Sequence, residues 1–509
     1  MKKILLSIGV LVIIVGGAYA YLNKKSAETP GLNIPNTENS KLSPAPAVSE
    51  PSSDETVSTS SEQAKQENQN TTPETPTQTN VPAKQASTQT TAAPTVSPTP
   101  NISCTSKYSD TEHMDIFDSH VHISPKVSIS QIISEMDKAG ASVANLYSGS
   151  PENTAQYPDR FITFVDTPDS PQPSTWLTQG QSFVTSAETQ LKTGKYYGIG
   201  EANLRYYTGN GGAIVPPPAI YVPPDTSIWL ELVDLAAKYN VPISFHFVPD
   251  NSVANAAFEK MLGHNKNAIL IWAHLGFNNM ELDSTTLNDY LLRYPNLYFD
   301  TAGIQNMQNP PPQPNSNWGV LVNQSDNGRL YEEWRKFFER WNSRILFGSD
   351  AGGGANSLER WLNYSSNISS LATADAIGHW KSLLSYLDSN SARNILSANS
   401  RELFFKKQKP AYNYSVESDR KCYSISIRSE SSISALTFNP NARAITFTAA
   451  DSNGTTGNAV ITIPTALGKN FTASVDGQGV KSQITSNSTS TIVSLGYVGG
   501  IKLITLSMP

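Results

Sequence analysis

Between residues 105 and 409, short apolar segments rich in β-branched and aromatic residues recur, and stretches with helical spacing separate several of them. The alternation predicts eight strands, at 115–122, 141–148, 161–166, 196–203, 241–247, 268–276, 297–303 and 344–350. Apolar positions at helical spacing predict helices at 128–139, 226–240 and 329–342, and closing helices at 390–406. Strands alternating with helices predict an α/β fold, a TIM-type (β/α)8 barrel. The alternative is an open doubly wound sheet, although no Gly-rich phosphate loop follows the first strand.

The pattern changes after residue 410. Short runs of alternating apolar and polar residues follow, punctuated by Asn, Asp and Gly, and they contain no histidine. This pattern predicts an antiparallel β-sandwich over 410–509, an accessory domain with no catalytic residues of its own. It is expected to steady the barrel, to attach the protein to a cell-surface polymer, or to bring the site to an extended substrate.

The N-terminal region has two parts. An apolar run from Ile4 to Leu22 follows a basic start, so residues 1–25 are expected to form either a signal peptide cleaved near Ala20 or a membrane anchor. Residues 26–104 consist mainly of Ser, Thr, Pro, Gln and Asn, which bury too little apolar surface to offset the ordering entropy. We therefore expect a disordered stalk followed by a barrel over 105–409 outside the cytoplasm, secreted or held at the membrane.

Composition narrows the class of partner. The net charge of −6 gives no reason to expect a nucleic acid, so a small-molecule substrate is the expected ligand. Sequons at Asn70, Asn413 and Asn470 fit a glycoprotein if the chain is exported. The two cysteines, Cys104 and Cys422, flank the predicted barrel and either form a disulfide in an oxidising compartment or remain separate thiols.

Six side chains that can bind metals stand near the ends of five predicted strands, two of them on the first strand. Four of the seven histidines belong to this set. The residues are His120 and His122 in MDIFDSHVHI, Glu201 in YYGIGEAN, His246 in VPISFHF, His274 in AILIWAHLG and Asp350 in RILFGSDAGG. Imidazole and carboxylate groups hold catalytic divalent ions with an open coordination position.

Barrel geometry predicts that these residues meet. Side chains two apart on a strand point the same way, so His120 and His122 face the interior together. Functional groups of such barrels gather at the C-terminal ends of the strands. Each residue alone also has a structural explanation: Asp350 as a turn cap, or Glu201 as a partner of Arg205. The joint occurrence of all six, in order, on five strands favours a metal centre.

Residues 113–406 resemble the amidohydrolase superfamily of metal-dependent hydrolases. The motifs are DSHVH, FH, AHLG and FGSD, and the last, with NILSANSRELF, is most similar to the amidohydrolase-2 group. GIGEAN looks more like the strand-four glutamate of TatD-type hydrolases, which bridges two metals. The resemblance implies a divalent cofactor, one or two Zn²⁺ ions, with Mn or Fe also suited to mixed His and carboxylate ligands.

The predicted chemistry is hydrolysis of an ester, amide, lactone or phosphoester bond by a water whose pKa the metal lowers. His120, His122 and Asp350 are expected to hold one ion, and His246 and His274 either a second ion or the remainder of a single site, with Glu201 bridging. Asp350 is the expected proton acceptor.

Two side chains near the predicted mouth are candidates for substrate binding. Arg205 and Tyr206 follow strand four, and Arg205 is expected either to orient an anionic substrate group or to form a structural ion pair. Two other functions stay open: metal-dependent decarboxylation of the amidohydrolase-2 type, and a non-catalytic surface binding module.

Overall fold

The structure is a computed structural model. It describes the residues Cys104, 109–123, 126–167, 173–206, Pro218, 220–276, 283–303, 321–323, 329–352, Tyr364 and 377–509. The predicted signal peptide or anchor and nearly all of the predicted stalk lie outside the described residues. Among the helices that the structure describes, none is both long enough and apolar enough to span a bilayer.

Twelve strands and ten α-helices precede the C-terminal region within the described ranges. The strands are β1 (Ile116–His122), β2 (Ala141–Tyr147), β3 (Phe161–Thr163), β4 (Ile199–Asn203), β5 (Arg205–Tyr206), β6 (Ile220–Tyr221), β7 (Pro242–His246), β8 (Ile269–Trp272), β9 (Leu297–Asp300), β10 (Val322–Asn323), β11 (Arg329–Leu330) and β12 (Ile345–Leu346). The helices are α1 (Ile129–Ala139), α2 (Pro151–Thr154), α3 (Pro173–Lys192), α4 (Ser227–Tyr239), α5 (Ser252–His264), α6 (Ser284–Arg293), α7 (Glu332–Arg340), α8 (Ile377–Leu384), α9 (Ser389–Arg393) and α10 (Asn399–Phe405).

Eight parallel strands form two sheets, namely β1, β2, β3, β4, β7, β8, β9 and β12. Within each sheet, every strand pairs with the next of these eight along the chain. One sheet has the order β1-β2-β3, and the other has the order β12-β9-β8-β7-β4. At one junction the Val165 N–H donates to the Gly198 carbonyl, and at the other the His122 N–H donates to the Ala351 carbonyl, at 2.8 and 2.7 Å. A TIM-type barrel requires this consecutive order of strands with hydrogen bonds at both junctions between the sheets. A doubly wound sheet, in contrast, reverses its strand order midway.

Local sequence explains the first helix. Ser128 caps α1 in a capping box with Gln131, and Gly140 ends the helix with φ of 76°. Ile132 and Met136, four residues apart, are buried on one face. The predicted helices at 128–139 and 226–240 therefore agree with α1 and α4 to within one residue at each end.

Some predicted strands are shorter in the structure. The segment predicted as a strand over 268–276 is β8 followed by a 3₁₀ turn at Ala273–Gly276, and 344–350 contains only the two residues of β12. The predicted helix 329–342 begins as β11 and becomes α7 at Glu332. In the two shortened strands, β8 and β12, an apolar run continues past the last hydrogen-bonded pair, so hydrophobicity alone overstates the length of the strand.

The C-terminal region forms two five-stranded antiparallel sheets. The sheets have the orders β13-β14-β17-β21-β20 and β15-β16-β22-β18-β19, and their inward-facing side chains form one hydrophobic cluster. The strands are β13 (Tyr412–Ser418), β14 (Lys421–Ser429), β15 (Ser432–Asn439), β16 (Ala444–Ala450), β17 (Thr456–Pro464), β18 (Thr472–Val475), β19 (Gln478–Val480), β20 (Ser482–Ser486), β21 (Ser490–Val498) and β22 (Ile501–Ser507). Burial alternates along β17 and β21, as expected where one face packs on a core and the other meets solvent.

Buried polar side chains join the barrel to the sandwich. The Asn342 amide nitrogen donates to the Ile433 carbonyl at 3.0 Å, and its oxygen accepts from Asn394 at 2.8 Å and from the Tyr412 hydroxyl at 3.1 Å. Asn342 is fully buried, so the loss of these partners would leave polar groups unsatisfied.

A disulfide links Cys104 to Cys422, which closes a loop over a sequence separation of 318. The open question from the sequence is therefore answered in favour of pairing, and neither cysteine is free. The bond ties the segment that precedes the barrel to the second strand of the sandwich, β14.

Reduction of this disulfide is expected to destabilise the protein. On the chain-entropy model a loop of this length contributes roughly 6 kcal/mol to the free energy of unfolding, and observed contributions of disulfides range from about 0 to 5 kcal/mol. Denaturation in guanidinium chloride with and without reductant measures the change. The double variant Cys104→Ser/Cys422→Ser serves as the control and should be insensitive to reductant. Two thiols that alkylate in unreduced, folded protein would contradict the linkage.

Candidate metal centre

All six candidate ligands lie together at the C-terminal ends of the barrel strands. His120 and His122 end β1, Glu201 lies in β4, and His246 is the last residue of β7. His274 falls in the 3₁₀ turn directly after β8, and Asp350 lies in the turn after β12. The predicted convergence of residues 230 positions apart in sequence is thus what the structure contains (350 − 120 = 230).

Four side chains form a first group. The Nε2 atoms of His120 and His122 lie 3.2 Å apart. Glu201 Oε2 lies 3.3 Å from the first and 3.4 Å from the second, and Asp350 Oδ1 lies 3.8 and 3.5 Å from them. Two imidazoles and two carboxylates therefore converge on one point.

The second group uses the other oxygen of the same glutamate. Glu201 Oε1 lies 3.1 Å from His274 Nε2 and 3.8 Å from His246 Nδ1. One carboxylate thus faces both groups, with one oxygen directed to each. This is the arrangement that a bridging ligand between two divalent ions needs.

Close packing fixes the backbone at these positions. Gly200 has φ of 124°, and a Cβ there would collide with the Ser244 carbonyl oxygen, so glycine is required immediately before Glu201. The Thr167 hydroxyl donates to the Glu201 carbonyl at 2.6 Å. Gly348 allows the turn that carries Asp350 to pass close to β1, because a Cβ there would lie 2.8 Å from the His120 Cβ.

The hydrogen bonds of two histidines show why the centre suits a cation. His120 Nδ1 lies 2.9 Å from Asp300 Oδ2, and His274 Nδ1 lies 2.8 Å from the Ala302 carbonyl oxygen. Both partners accept only, so each Nδ1 carries a hydrogen, and in the neutral rings Nε2 presents a lone pair. Those lone pairs point at the Glu201 carboxylate. Either a proton or a metal cation must therefore lie between each Nε2 atom and the Glu201 carboxylate.

The spacing also suits a metal ion. Ligands about 2.0–2.1 Å from a tetrahedral Zn²⁺ lie roughly 3.3 Å from one another. The nitrogen and oxygen atoms of the first group are separated by 3.2 to 3.8 Å. The residue types and the spacing therefore both fit a divalent ion, and the triads His120–His122–Asp350 and His120–Glu201–His274 are candidate ligand groups.

The protonation equilibria agree with a centre that holds positive charge. Burial by itself lowers the pKa of His120, but the charges of Glu201 and Asp300 outweigh it and raise that pKa well above its ordinary value. Burial by itself raises the pKa of Glu201, yet His120 and the imidazole hydrogen bonds hold that pKa well below its usual range. Burial, together with the nearby His274, lowers the pKa of His246 to about 3. These directions favour an ionised Glu201 and a neutral His246, the forms in which both groups bind metals, and a proton on His120 where no metal cation replaces it.

Three further residues at the centre were missed by sequence reasoning. Asp300, at the end of β9, accepts from His120. Tyr147, at the end of β2, packs edge-on against His120 with ring centroids 4.7 Å apart. Asp118 accepts from the Ser349 N–H at 3.0 Å and so ties β1 to the turn that carries Asp350. The sequence signal for Asp300 is an acidic residue directly after the apolar run 297–299, but the predicted strand 297–303 placed it inside the strand and not at its end.

The two predicted substrate-binding residues lie beside the centre. Arg205 forms a two-pronged ion pair with Asp250, with Nη2 at 2.7 and 3.0 Å from its oxygens, and stacks over the Tyr221 ring at 4.4 Å. Tyr206 packs edge-on against His246 with centroids 5.2 Å apart. The structure thus places Arg205 in the alternative role, an ion pair, and Tyr206 next to a candidate ligand.

Comparison with known proteins gives matches among solved structures only. No family model matches the chain, and no curated protein matches it. The chain is similar to 2,6-dihydroxybenzoate decarboxylase (13% identity, 57% of this chain and 99% of that chain, TM-score 0.33) and to amidohydrolase 2 from Bifidobacterium longum subsp. infantis (13%, 58% and 100%, 0.30). It is also similar to dihydroorotase from Saccharomyces cerevisiae (12%, 78% and 98%, 0.32).

Amidohydrolases are among the solved structures that the chain matches. Identities of 12–13% and TM-scores of 0.30–0.33 transfer no residue role, substrate or reaction to this chain. The chemistry of the centre therefore depends on its own residues.

The Arg205–Asp250 pair is expected to hold the short β5–β6 hairpin against β7. Arg205→Met would leave a largely buried carboxylate without its partner and should lower the free energy of unfolding by about 3 kcal/mol. Chemical denaturation measures the change. The control is Lys260→Met, which breaks the exposed pair with Asp225 and should cost well under about 1 kcal/mol. Equal losses in the two variants would contradict a structural role for Arg205.

Proposed function

We propose that the protein is a metal-dependent hydrolase of the amidohydrolase type that acts on an ester, amide, lactone or phosphoester bond. The observation that carries the proposal is the position of Glu201, whose two oxygens face two separate groups of imidazoles at 3.1 to 3.8 Å. A single carboxylate placed in this way suits two ions, and paired ions are suited to hydrolysis.

Each of the six residues has a proposed role in metal binding. His120, His122 and Asp350 would hold one ion, His246 and His274 the other, and Glu201 would bridge them. When bound, the ions lower the pKa of a coordinated water and polarise the bond under attack. Zn²⁺ suits the histidine-rich set, and Mn²⁺ or iron also suits mixed imidazole and carboxylate ligands.

Asp350 is the proposed proton acceptor. Its side chain is 15% exposed and that of His122 is 24% exposed, whereas the other four ligands are at most 9% exposed. Substrate therefore approaches from the side of His122 and Asp350. A carboxylate on that side can accept the proton of the attacking water and deliver it to the leaving group.

We also propose that the protein works outside the cytoplasm. The Cys104–Cys422 disulfide supports this location, because structural disulfides persist chiefly in oxidising compartments. The apolar segment at residues 4–22 is consistent with export as a secreted or anchored protein. An accessory role for the sandwich, such as attachment to a cell-surface polymer, belongs to the same proposal.

Metal content separates this function from its alternatives. Protein purified without chelators and reconstituted with Zn²⁺ or Mn²⁺ is expected to hold about two ions per chain, measured by plasma mass spectrometry. One ion per chain, retained at saturating metal, would favour the decarboxylase alternative. No stoichiometric ion after reconstitution would favour a non-catalytic binding module and overturn the proposal.

Asp350→Asn is expected to lower kcat by roughly 10²–10⁴-fold, because the amide keeps an oxygen for the metal but cannot accept a proton. The measurement is hydrolysis of p-nitrophenyl acetate, p-nitrophenyl phosphate and γ-butyrolactone by the metal-saturated protein, whichever the wild-type protein turns over. Metal content is determined in parallel, so that a loss of ions is not mistaken for a loss of the base.

The matched control is Asp166→Asn. Asp166 is also an aspartate near a strand end, just beyond β3, but it is exposed and accepts from the Ser148 hydroxyl. This variant should keep kcat within about threefold of the wild-type value. If both variants kept full activity, Asp350 would not be the proton acceptor.

A further inference from the structure

Asp300 contacts both halves of the candidate metal centre through different oxygens. Its Oδ2 lies 2.9 Å from His120 Nδ1, across a sequence separation of 180. Its Oδ1 accepts the backbone N–H of His274 at 2.8 Å and that of Ala302 at 3.0 Å. Asp300 is fully buried, so its carboxylate oxygens contact these donors and not solvent.

Each of these contacts sets the direction of a candidate ligand. The bond to His120 fixes the ring so that Nε2 faces Glu201 and His122. The bond to the Ala302 N–H holds the residue whose carbonyl oxygen accepts from His274 Nδ1 at 2.8 Å. The orientation of both rings therefore depends on one carboxylate.

The backbone at His274 needs such support. His274 has φ of 61° and Leu275 has φ of 50°, in the left-handed region that non-glycine residues rarely adopt. A backbone conformation of this kind persists only where the surrounding contacts hold it. The Asp300 carboxylate supplies one of these contacts by accepting the His274 N–H.

The turn that follows Asp300 reaches the remaining carboxylate of the centre. A Cβ on Gly303 would lie 3.1 Å from Asp350 Oδ2 and 3.3 Å from His274 Nδ1. The end of β9 thus lies against ligands that come from β1, from the turn after β8 and from the turn after β12. No other described strand end contributes an acidic residue that contacts ligands from both groups without being in the predicted ligand set.

We propose that Asp300 is a positioning residue shared by the two metal sites, orienting His120 toward one ion and His274 toward the other. The inference rests on the proposed function, since it requires that the six residues bind divalent ions. It adds a residue outside the predicted ligand set and assigns a coupling between the two sites: removal of one carboxylate should weaken both.

The test is Asp300→Ala, measured by competition of the purified protein with a Zn²⁺ chelator. Alanine removes both acceptor oxygens, so the His120 ring N–H and the backbone N–H groups of His274 and Ala302 all lose their partner. Both stepwise Zn²⁺ affinities are expected to fall by roughly 10–100-fold. His246→Asn, which removes a ligand from the second group alone, should weaken chiefly one step.

Asn342→Ala is the control for general destabilisation. Asn342 is a buried polar residue with several hydrogen bonds at the junction with the sandwich, and it contacts none of the six ligands. This variant should lower the free energy of unfolding and leave both Zn²⁺ affinities unchanged. If Asp300→Ala weakened only one step, or neither, while wild-type protein bound two ions, the inference would be wrong and the proposed function would stand.

A measurement on the wild-type chain covers the case in which the Asp300 variant does not fold. With ¹⁵N-labelled histidine in Zn²⁺-loaded protein, three rings, those of His120, His122 and His274, should carry hydrogen on Nδ1 and metal on Nε2, and substitution of each residue in turn identifies its signals. Hydrogen on Nε2 of His120 would exclude the bond to Asp300 and overturn the inference. Wild-type protein that took up no Zn²⁺ would overturn the proposed function and this inference together.

Discussion

One ionised carboxylate, buried among four imidazoles, is the constraint on which the rest of the centre depends. Glu201 has no cationic side chain of lysine or arginine among its described partners, and its oxygens face imidazole nitrogens at 3.1 to 3.8 Å. An unpaired buried charge is costly, so positive charge must be supplied at the same place. Protons can supply it, but divalent ions supply more and are held by the same lone pairs.

The candidate ligands around Glu201 all come from the ends of barrel strands, and none of them comes from the sandwich. β1 contributes two ligands because alternate residues of a strand face the same side, and β4 and β7 contribute one each. The sandwich attaches through buried polar contacts around Asn342 and through the disulfide to Cys104. These contacts stabilise the chain without entering the centre, so the stability of the two-part fold and the chemistry of the site can change independently.

Much of this arrangement could be predicted from the sequence. The alternation of strands and helices predicted the barrel, and the positions of the six residues near strand ends predicted their convergence. The sequence could not show that His274 lies in a left-handed turn beyond β8, because an apolar run carries no sign of where pairing stops. Asp300 was missed because the predicted strand ran on to residue 303 and so placed this aspartate inside the strand. Its role depends on His120, which is 180 residues away.

The position of Arg205 shows how burial decides between two roles that the sequence leaves open. An arginine beside a metal centre suits an anionic substrate, but this guanidinium is 6% exposed and already engages both oxygens of Asp250 and the face of Tyr221. Releasing it for a substrate would cost a buried ion pair and a cation–π contact. In the proposed function, substrate charge is therefore better met by the ions than by Arg205. The Arg205–Asp250 pair holds the β5–β6 strand pair, in which Tyr206 packs against His246.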